Sequence, residues 1–166
     1  MKKNPYLLIS LILGLLLSCS AAVAQENRLT VQSDTIKYHA NNGNSVFEGN
    51  VVVNRGRLNL WADRVELFQN EQENDYIVAD GSPVRYIERS EDGDIITQGK
   101  SNQSIYRYDE DVIQLTGNVE FESDGNILRA HQVIYNTESR EVHAFSDSGS
   151  EASGDRQRTT VIIDDN

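Results

Sequence analysis

The segment Phe-Glu-Gly-Asn-Val at residues 47–51 occurs twice in this chain, the second time as Leu-Thr-Gly-Asn-Val at residues 115–119. A tyrosine precedes both segments at the same distance, Tyr38 in the first case and Tyr106 in the second. The displacement is 68 residues (47 to 115) without a gap, and it relates three further pairs: Leu60 and Leu128, Ala62 and Ala130, and Val65 and Val133. Several matches in one register predict that the chain contains two copies of one structural unit.

Apolar side chains recur at every second position around these segments. Leu58, Leu60 and Ala62 form such a series in the first copy, and the series slips by one residue at Asp63–Arg64. A period of two is typical of β-strands that bury one face. The second copy slips at the equivalent place, which predicts a bulge or corner between successive short strands.

Turn-forming residues divide the chain at short intervals. Glycine-containing turn signals stand at residues 41–44, 55–56, 80–83, 91–94 and 123–126. Short strands joined by such turns predict an all-β fold, an antiparallel meander that closes, partly closes or stacks as a sandwich.

The first 24 residues have the composition of a cleaved export signal. Lys2 and Lys3 are followed by an apolar run at residues 6–17 and then by an Ala-Val-Ala segment at residues 22–24. This order is that of a secretory signal peptide, and the apolar run is shorter than the roughly 20 residues of a membrane-spanning helix. We therefore predict cleavage after Ala24 and a single exported domain at residues 25–166.

Cys19 leaves a second processing route open. The preceding Leu-Leu-Ser at residues 16–18 resembles a lipobox, in which the cysteine is acylated and becomes the mature N-terminus. The chain would then be an envelope lipoprotein with a structural or lipid-binding role. After cleavage at Ala24 instead, the mature chain has no cysteine and no disulfide.

The charge balance argues against several kinds of partner. The formal net charge is −11, and it becomes −13 once the leader with Lys2 and Lys3 is removed. Nucleic acids and anionic membrane surfaces attract clustered cations, and the sequence shows no such cluster. An anionic amphiphile would therefore be bound through its apolar part, whose burial contributes roughly 25 cal/mol per Å².

No catalytic or metal-binding motif is recognisable in the sequence. The three histidines, His39, His131 and His143, lack the spacing of a zinc site, and no nucleotide-binding or nucleophile motif occurs. The acidic segment at residues 92–94 lacks the ligand series of a calcium loop. We predict that the protein is not an enzyme and uses no metal or cofactor.

The two Gly-Asn-Val segments and their surroundings resemble the OstA-like (LptA) family. Each is followed by an Ala-x-x-Val segment, beginning at Ala62 or Ala130, and the order is framed by Leu-Thr-Val-Gln-Ser-Asp at residues 29–34 and Ala-Phe-Ser-Asp at residues 144–147. The resemblance covers residues 29–163. It implies a twisted, partly open β-jellyroll, a V-shaped stack of antiparallel strands built from two internal repeats. It also implies a periplasmic bridge protein of lipopolysaccharide transport in Gram-negative bacteria.

The resemblance further implies where the cargo and the partners bind. Acyl chains of lipid A would lie between the two sheets, although the same residues could simply form a packed core. The implied groove residues are Leu29, Val31, Phe47, Val51, Leu60, Val65, Tyr86, Leu115, Val119, Leu128 and Val133. The implied partner edges are the first strand, with Leu29 and Val31, and the last strand at residues 159–163, with Thr160, Val161, Ile162 and Ile163.

The implied partners follow from these edges. An inner-membrane-anchored sister protein would bind the N-terminal edge, and the periplasmic domain of the outer-membrane translocon would bind the C-terminal edge. Copies of the chain would also stack end to end. The anchored sister remains an alternative identity for the chain itself, and a polar segment at residues 148–158 leaves the register of the last strand open.

Overall fold

A computed structural model describes residues 28–39, 41, 43–69, 75–146 and 159–163. The described residues form ten β-strands and no helix, which confirms the predicted all-β fold. The predicted signal peptide at residues 1–24, Cys19 and the polar segment at residues 148–158 lie outside the described residues. The strands are β1 Leu29–Gln32, β2 Thr35–Tyr38, β3 Ser45–Arg55, β4 Leu58–Phe68, β5 Tyr76–Arg89, β6 Ile95–Arg107, β7 Val112–Ser123, β8 Asn126–Asn136, β9 Val142–Phe145 and β10 Thr160–Ile162.

The strands form one antiparallel sheet in which chain order is also spatial order from β3 to β8. β1 and β2 pair with opposite ends of β3, so together they make one interrupted edge strand. β9 and β10 pair in the same way with opposite ends of β8. The sheet therefore has two edges, one formed by β1 and β2 and the other by β9 and β10.

The internal strands are longer than the sequence pattern predicted. We expected short strands separated by turns, but β5 runs for 14 residues straight through the Asp-Gly-Ser-Pro segment at residues 80–83. This segment is an irregularity in the pairing of β5 with β6. Similarly, the slip at Asp63–Arg64 lies within the continuous β4, where the pairing with β5 shifts register. Local turn chemistry was read as a chain reversal, whereas the neighbouring strands continue past it on both sides.

Glycine and asparagine produce the same bulge in both repeats. Pairing of β3 with β4 shifts between Glu48 and Val51, and Gly49 and Asn50 in the gap have φ angles of 81° and 47°. In β7 the equivalent Gly117 and Asn118 have φ angles of 78° and 50°. Glycine and asparagine tolerate this left-handed region best. The repeat found in the sequence is therefore also a repeat of backbone geometry.

A close approach at each bulge is a second reason for glycine. A Cβ atom at Gly49 would lie 2.5 Å from Asp34 Oδ2, and one at Gly117 would lie 2.9 Å from Asn102 Nδ2. Asp34 and Asn102 are again 68 residues apart, so the contact belongs to the repeated unit. Asn50 completes the first site by donating a hydrogen bond of 2.8 Å to Asp34.

The bulges bend the sheet into two arms that face each other. Arm A contains residues 45–48, 64–68, 76–80, 103–107, 112–116 and 132–136, and arm B contains residues 51–55, 58–61, 84–89, 95–100, 119–123 and 126–129. Phe121 in arm B lies 5.3 Å, ring centroid to ring centroid, from Tyr135 in arm A. The apolar side chains between the arms form one continuous core. This is the V-shaped jellyroll that the resemblance implied.

Candidate functional site

The predicted groove residues all lie in or against the interior between the arms. Eight of them are buried, with at most 8% of the side chain exposed: Phe47, Val51, Leu60, Val65, Tyr86, Leu115, Val119 and Val133. Leu29, Val31 and Leu128 are half-buried and pack against the same cluster. The structure thus brings together residues from β1 to β8, while their role in lipid binding stays a prediction.

Large side chains fill this interior, and several of them were not singled out from the sequence. Phe121 stands two residues after Val119 and Tyr135 two residues after Val133, so the same alternation could have identified both. Tyr86 and Phe121 have ring centroids 6.3 Å apart. The other buried apolar residues missed from the predicted set are Val53, Leu58, Ala62, Ile77, Ala79, Val84, Tyr106, Ile113 and Ala130.

Gly99 makes room for the largest of these side chains. It pairs with Tyr86 on β5 and with Phe121 on β7. A Cβ atom at position 99 would overlap the Tyr86 ring and would lie 3.1 Å from Leu115 Cδ1. The ring of Tyr86 therefore occupies the volume that any side chain at position 99 would need.

The arms meet along a polar seam on the side opposite the bulges. Arg55, at the end of β3 in arm B, donates hydrogen bonds to the Tyr106 hydroxyl at 2.8 Å and to Asp111 Oδ1 at 3.2 Å. The guanidinium also lies 5.4 Å from the ring centroid of Tyr108 and 5.8 Å from that of Tyr106. Hydrogen bonds and cation–π contacts thus hold Arg55 of one arm to three residues at the end of the other.

A second contact crosses the seam through a buried carboxylate. Glu88 in arm B is only 4% exposed and accepts hydrogen bonds from the Tyr135 hydroxyl at 2.9 Å and from Thr97 at 3.2 Å. Burial, together with the hydrogen bond to Glu88, raises the pKa of Tyr135 to about 12. Tyr135 therefore remains a protonated donor across the physiological range.

A pocket of about 250 Å³ opens on this seam. Turn residues from both arms line it, including Gly56 and Glu91 from arm B and Asp111 and Thr137 from arm A. Backbone connects the arms at every bulge, whereas the contacts of Arg55 and Glu88 across the seam are made by side chains. Separation of the arms would therefore begin at the seam.

The two edges of the sheet carry most of the exposed large apolar side chains. Apart from Trp61 and Ile95, those among the described residues are Ile36 and Tyr38 on β2, Val142 and Phe145 on β9, and Val161, Ile162 and Ile163 at β10. β10 covers residues 160–162, within the last strand predicted from the sequence. β2 was missed as part of the N-terminal edge, because a break after β1 hides it from a simple alternation.

The described residues were also searched for metal-binding groups and membrane spans. No group of three or more His, Cys, Asp or Glu side chains among them could hold a metal ion. Within the same residues, no helix has the length and hydrophobicity required to cross a membrane.

Fold and site together define an open-ended β-jellyroll with an apolar interior. A family model described as LptA/(LptD N-terminal domain) LPS transport protein matches residues 30–141, more than half of the chain. The chain belongs to this family. Membership in a family of transport proteins confirms the expectation that the protein is not an enzyme.

Individual relatives agree with this assignment. The chain is 28% identical over 124 residues to the lipopolysaccharide export system protein LptA of Escherichia coli K12, covering 73% of this chain and 63% of that protein. It is 24% identical over 162 residues to the lipopolysaccharide export system protein LptH of Pseudomonas aeruginosa, covering 93% of each.

A solved structure shows the same fold. The crystal structure of LptH, described as the LptA homologous periplasmic component of a lipopolysaccharide transport device from Pseudomonas aeruginosa, superposes with a TM-score of 0.74. The match covers 85% of this chain and 98% of that one at 24% identity.

Proposed function

We propose that this chain is an exported, periplasmic component of lipopolysaccharide transport that shelters the acyl chains of lipid A between its two arms. Family membership and the names of the relatives support the cargo class. One structural observation carries the proposal: a continuous apolar core runs from the edge formed by β1 and β2 to the edge formed by β9 and β10, and both edges present exposed apolar side chains.

Acyl burial explains how an acidic chain binds an anionic lipid. Each methylene transferred from water contributes about 0.8 kcal/mol, so a few partly buried acyl chains outweigh the repulsion expected from a net charge of −11. The buried surface offered by residues such as Leu60 and Val119 is aliphatic and carries no charge. The interior therefore selects for the apolar part of an amphiphile.

The interior must open before it accepts cargo, because its own side chains fill it. Parting the arms at the seam would break the contacts of Arg55 and Glu88 and leave the bulges as hinges. The sugar part of the lipid would then face water through the parted seam, while the acyl chains replace contacts between the arms. Arg55 and Glu88 thus set the free energy of opening.

Edge strands explain how cargo passes onward. Unpaired strands with exposed apolar side chains invite addition of a strand from another chain. We propose that the edge of β1 and β2 binds an inner-membrane-anchored sister protein and that the edge of β9 and β10 binds the translocon's periplasmic domain. Further copies of this chain would extend the stack end to end.

Site-specific photocrosslinking in cells tests the proposal. Phe47 faces the interior and is 8% exposed, while its neighbour Val46 points to the other side of β3. A benzophenone amino acid at position 47 should crosslink to lipopolysaccharide, and the same group at position 46 serves as the matched control. Equal crosslinking from both positions, or none from position 47 in a folded variant, would refute an interior lipid site.

A further inference from the structure

The outer face of arm B carries a pocket that the interior lipid site does not use. Its volume is about 530 Å³, within the range of roughly 300–1,000 Å³ typical of small-molecule pockets. Side chains that point away from the core form its walls, among them Trp61, Arg85, Ile87, Gln98 and Lys100. Trp61 is 37% exposed and is the only tryptophan of the chain.

The strand register places an unusual row of charges across this pocket. Trp61 pairs with Arg85, Arg85 with Lys100, Lys100 with Glu120, and Glu120 with Arg129. Glu120 binds both Lys100 and Arg129 at 2.9 Å, and these two cations hold its pKa below the usual value. Arg85 has no acidic partner among the residues that the structure describes.

Two cations directly opposite each other weaken a sheet. Arg85 and Lys100 nevertheless occupy paired positions on β5 and β6, on a chain whose net charge is −11. The sequence showed no cationic cluster because its members lie on separate strands, far apart in the chain. An anionic ligand between them would turn this repulsion into attraction.

We propose that this pocket binds a phosphorylated saccharide, with the sugar ring against Trp61 and the phosphate between Arg85 and Lys100. The flat apolar face of an indole suits the C–H face of a sugar ring, and the Gln98 amide is placed to hydrogen-bond hydroxyl groups. Arginine and lysine bind phosphate through charge-assisted hydrogen bonds. The proposal rests on the proposed function, since it takes the ligand to be the sugar portion of a lipopolysaccharide.

Titration with a lipid-free ligand tests this site separately from the interior. The probe is the phosphorylated oligosaccharide obtained by removing every acyl chain from a lipopolysaccharide, and binding is followed by Trp61 fluorescence and by calorimetry. We expect a saturable signal that weakens at high salt. Removing the phosphates from the oligosaccharide, or replacing Arg85→Ala, should each weaken binding about tenfold or more.

Control measurements decide between the ligand classes. Arg107→Ala removes a charge from the arm A part of β6 and should leave the affinity unchanged. Unchanged affinity in Arg85→Ala, equal affinity for inorganic phosphate alone, or equal affinity for polyglutamate would each overturn the saccharide site. Loss of crosslinking from position 47 would instead count against the interior lipid site and would leave this titration unaffected.

Discussion

Alanine at position 99 should destabilise the protein through a single steric conflict with Tyr86. The new Cβ atom would overlap the Tyr86 ring, and the neighbouring Leu115 at 3.1 Å leaves the ring little room to move. Gly99 does not have a positive φ angle, so the substitution adds no left-handed strain. Overpacking of this kind typically costs about 1–3 kcal/mol, and we expect Gly99→Ala to lower the free energy of unfolding by that amount.

A double-mutant cycle isolates this conflict. Tyr86→Ala should by itself cost about 3–5 kcal/mol, as for other large aromatic side chains removed from a core. Because the vacated volume can hold the new methyl group, Gly99→Ala should cost close to nothing in the Tyr86→Ala background. The expected coupling energy is therefore about 1–3 kcal/mol, well above the deviation from additivity seen for independent sites. If the doubly substituted protein is unfolded, Tyr86→Leu replaces Tyr86→Ala.

Urea unfolding followed by circular dichroism and by Trp61 fluorescence measures all four free energies of unfolding. Gly93→Ala is the matched control, because no atom lies within 4 Å of its added Cβ while its φ angle of 92° imposes strain. Its cost should be the same with and without Tyr86. A cost of Gly99→Ala that does not change when Tyr86 is replaced would refute the proposed steric origin.

Three further predictions concern the seam and processing. Arg55→Ala should lower the free energy of unfolding by about 1.5–3 kcal/mol through loss of its hydrogen bonds to Tyr106 and Asp111, measured by urea unfolding, and it should speed lipid uptake measured with a fluorescent lipopolysaccharide. Tyr135→Phe should cost about 1–3 kcal/mol because Glu88 loses a donor, and it should flatten the alkaline stability profile. With Tyr135 protonated more readily in the folded state, its contribution is fully present below its unfolded pKa of 10 and is lost as pH rises through about 12. Mass spectrometry of the exported protein should find Gln25 as the first residue.

Each of these measurements has a control and a contradicting result. Arg57→Ala changes a half-exposed arginine that lies 3.8 Å from Glu91, and it should alter stability by less than about 1 kcal/mol. Equal effects of Arg55→Ala and Arg57→Ala would remove Arg55 from the seam. An unaltered alkaline profile in Tyr135→Phe would rule out Tyr135 as the titrating group, and an acylated Cys19 at the N-terminus would establish the lipoprotein alternative.

The parts of the fold predicted from sequence are those encoded in short segments. The 68-residue repeat located both bulges because Gly49 and Gly117 are needed at equivalent left-handed positions. Strand length was predicted wrongly, since the irregularity at residues 80–83 looks like a turn locally and only its paired neighbours show that β5 continues.

The seam lay beyond sequence reasoning for a related reason. Arg55 and Asp111 are separated by 56 residues and belong to different repeats, so no periodicity links them. The charge row on arm B likewise exists only once the strand register is known. Interior side chains were easier to predict, because alternation alone assigns their face, although Phe121 and Tyr135 were overlooked.

The edge strand formed by β1 and β2 is built like the internal strand β6. Ser33 hydrogen-bonds the carbonyl of Thr35 at 2.9 Å, and Ser101, 68 residues later, hydrogen-bonds the carbonyl of Gln103 at 2.8 Å. One repeat therefore follows the other by a step that does not return to its starting point, unlike the rotation that closes a ring. An assembly that continued this step from molecule to molecule would have no length of its own, and the distance it spans would be fixed only by whatever terminates it at either end.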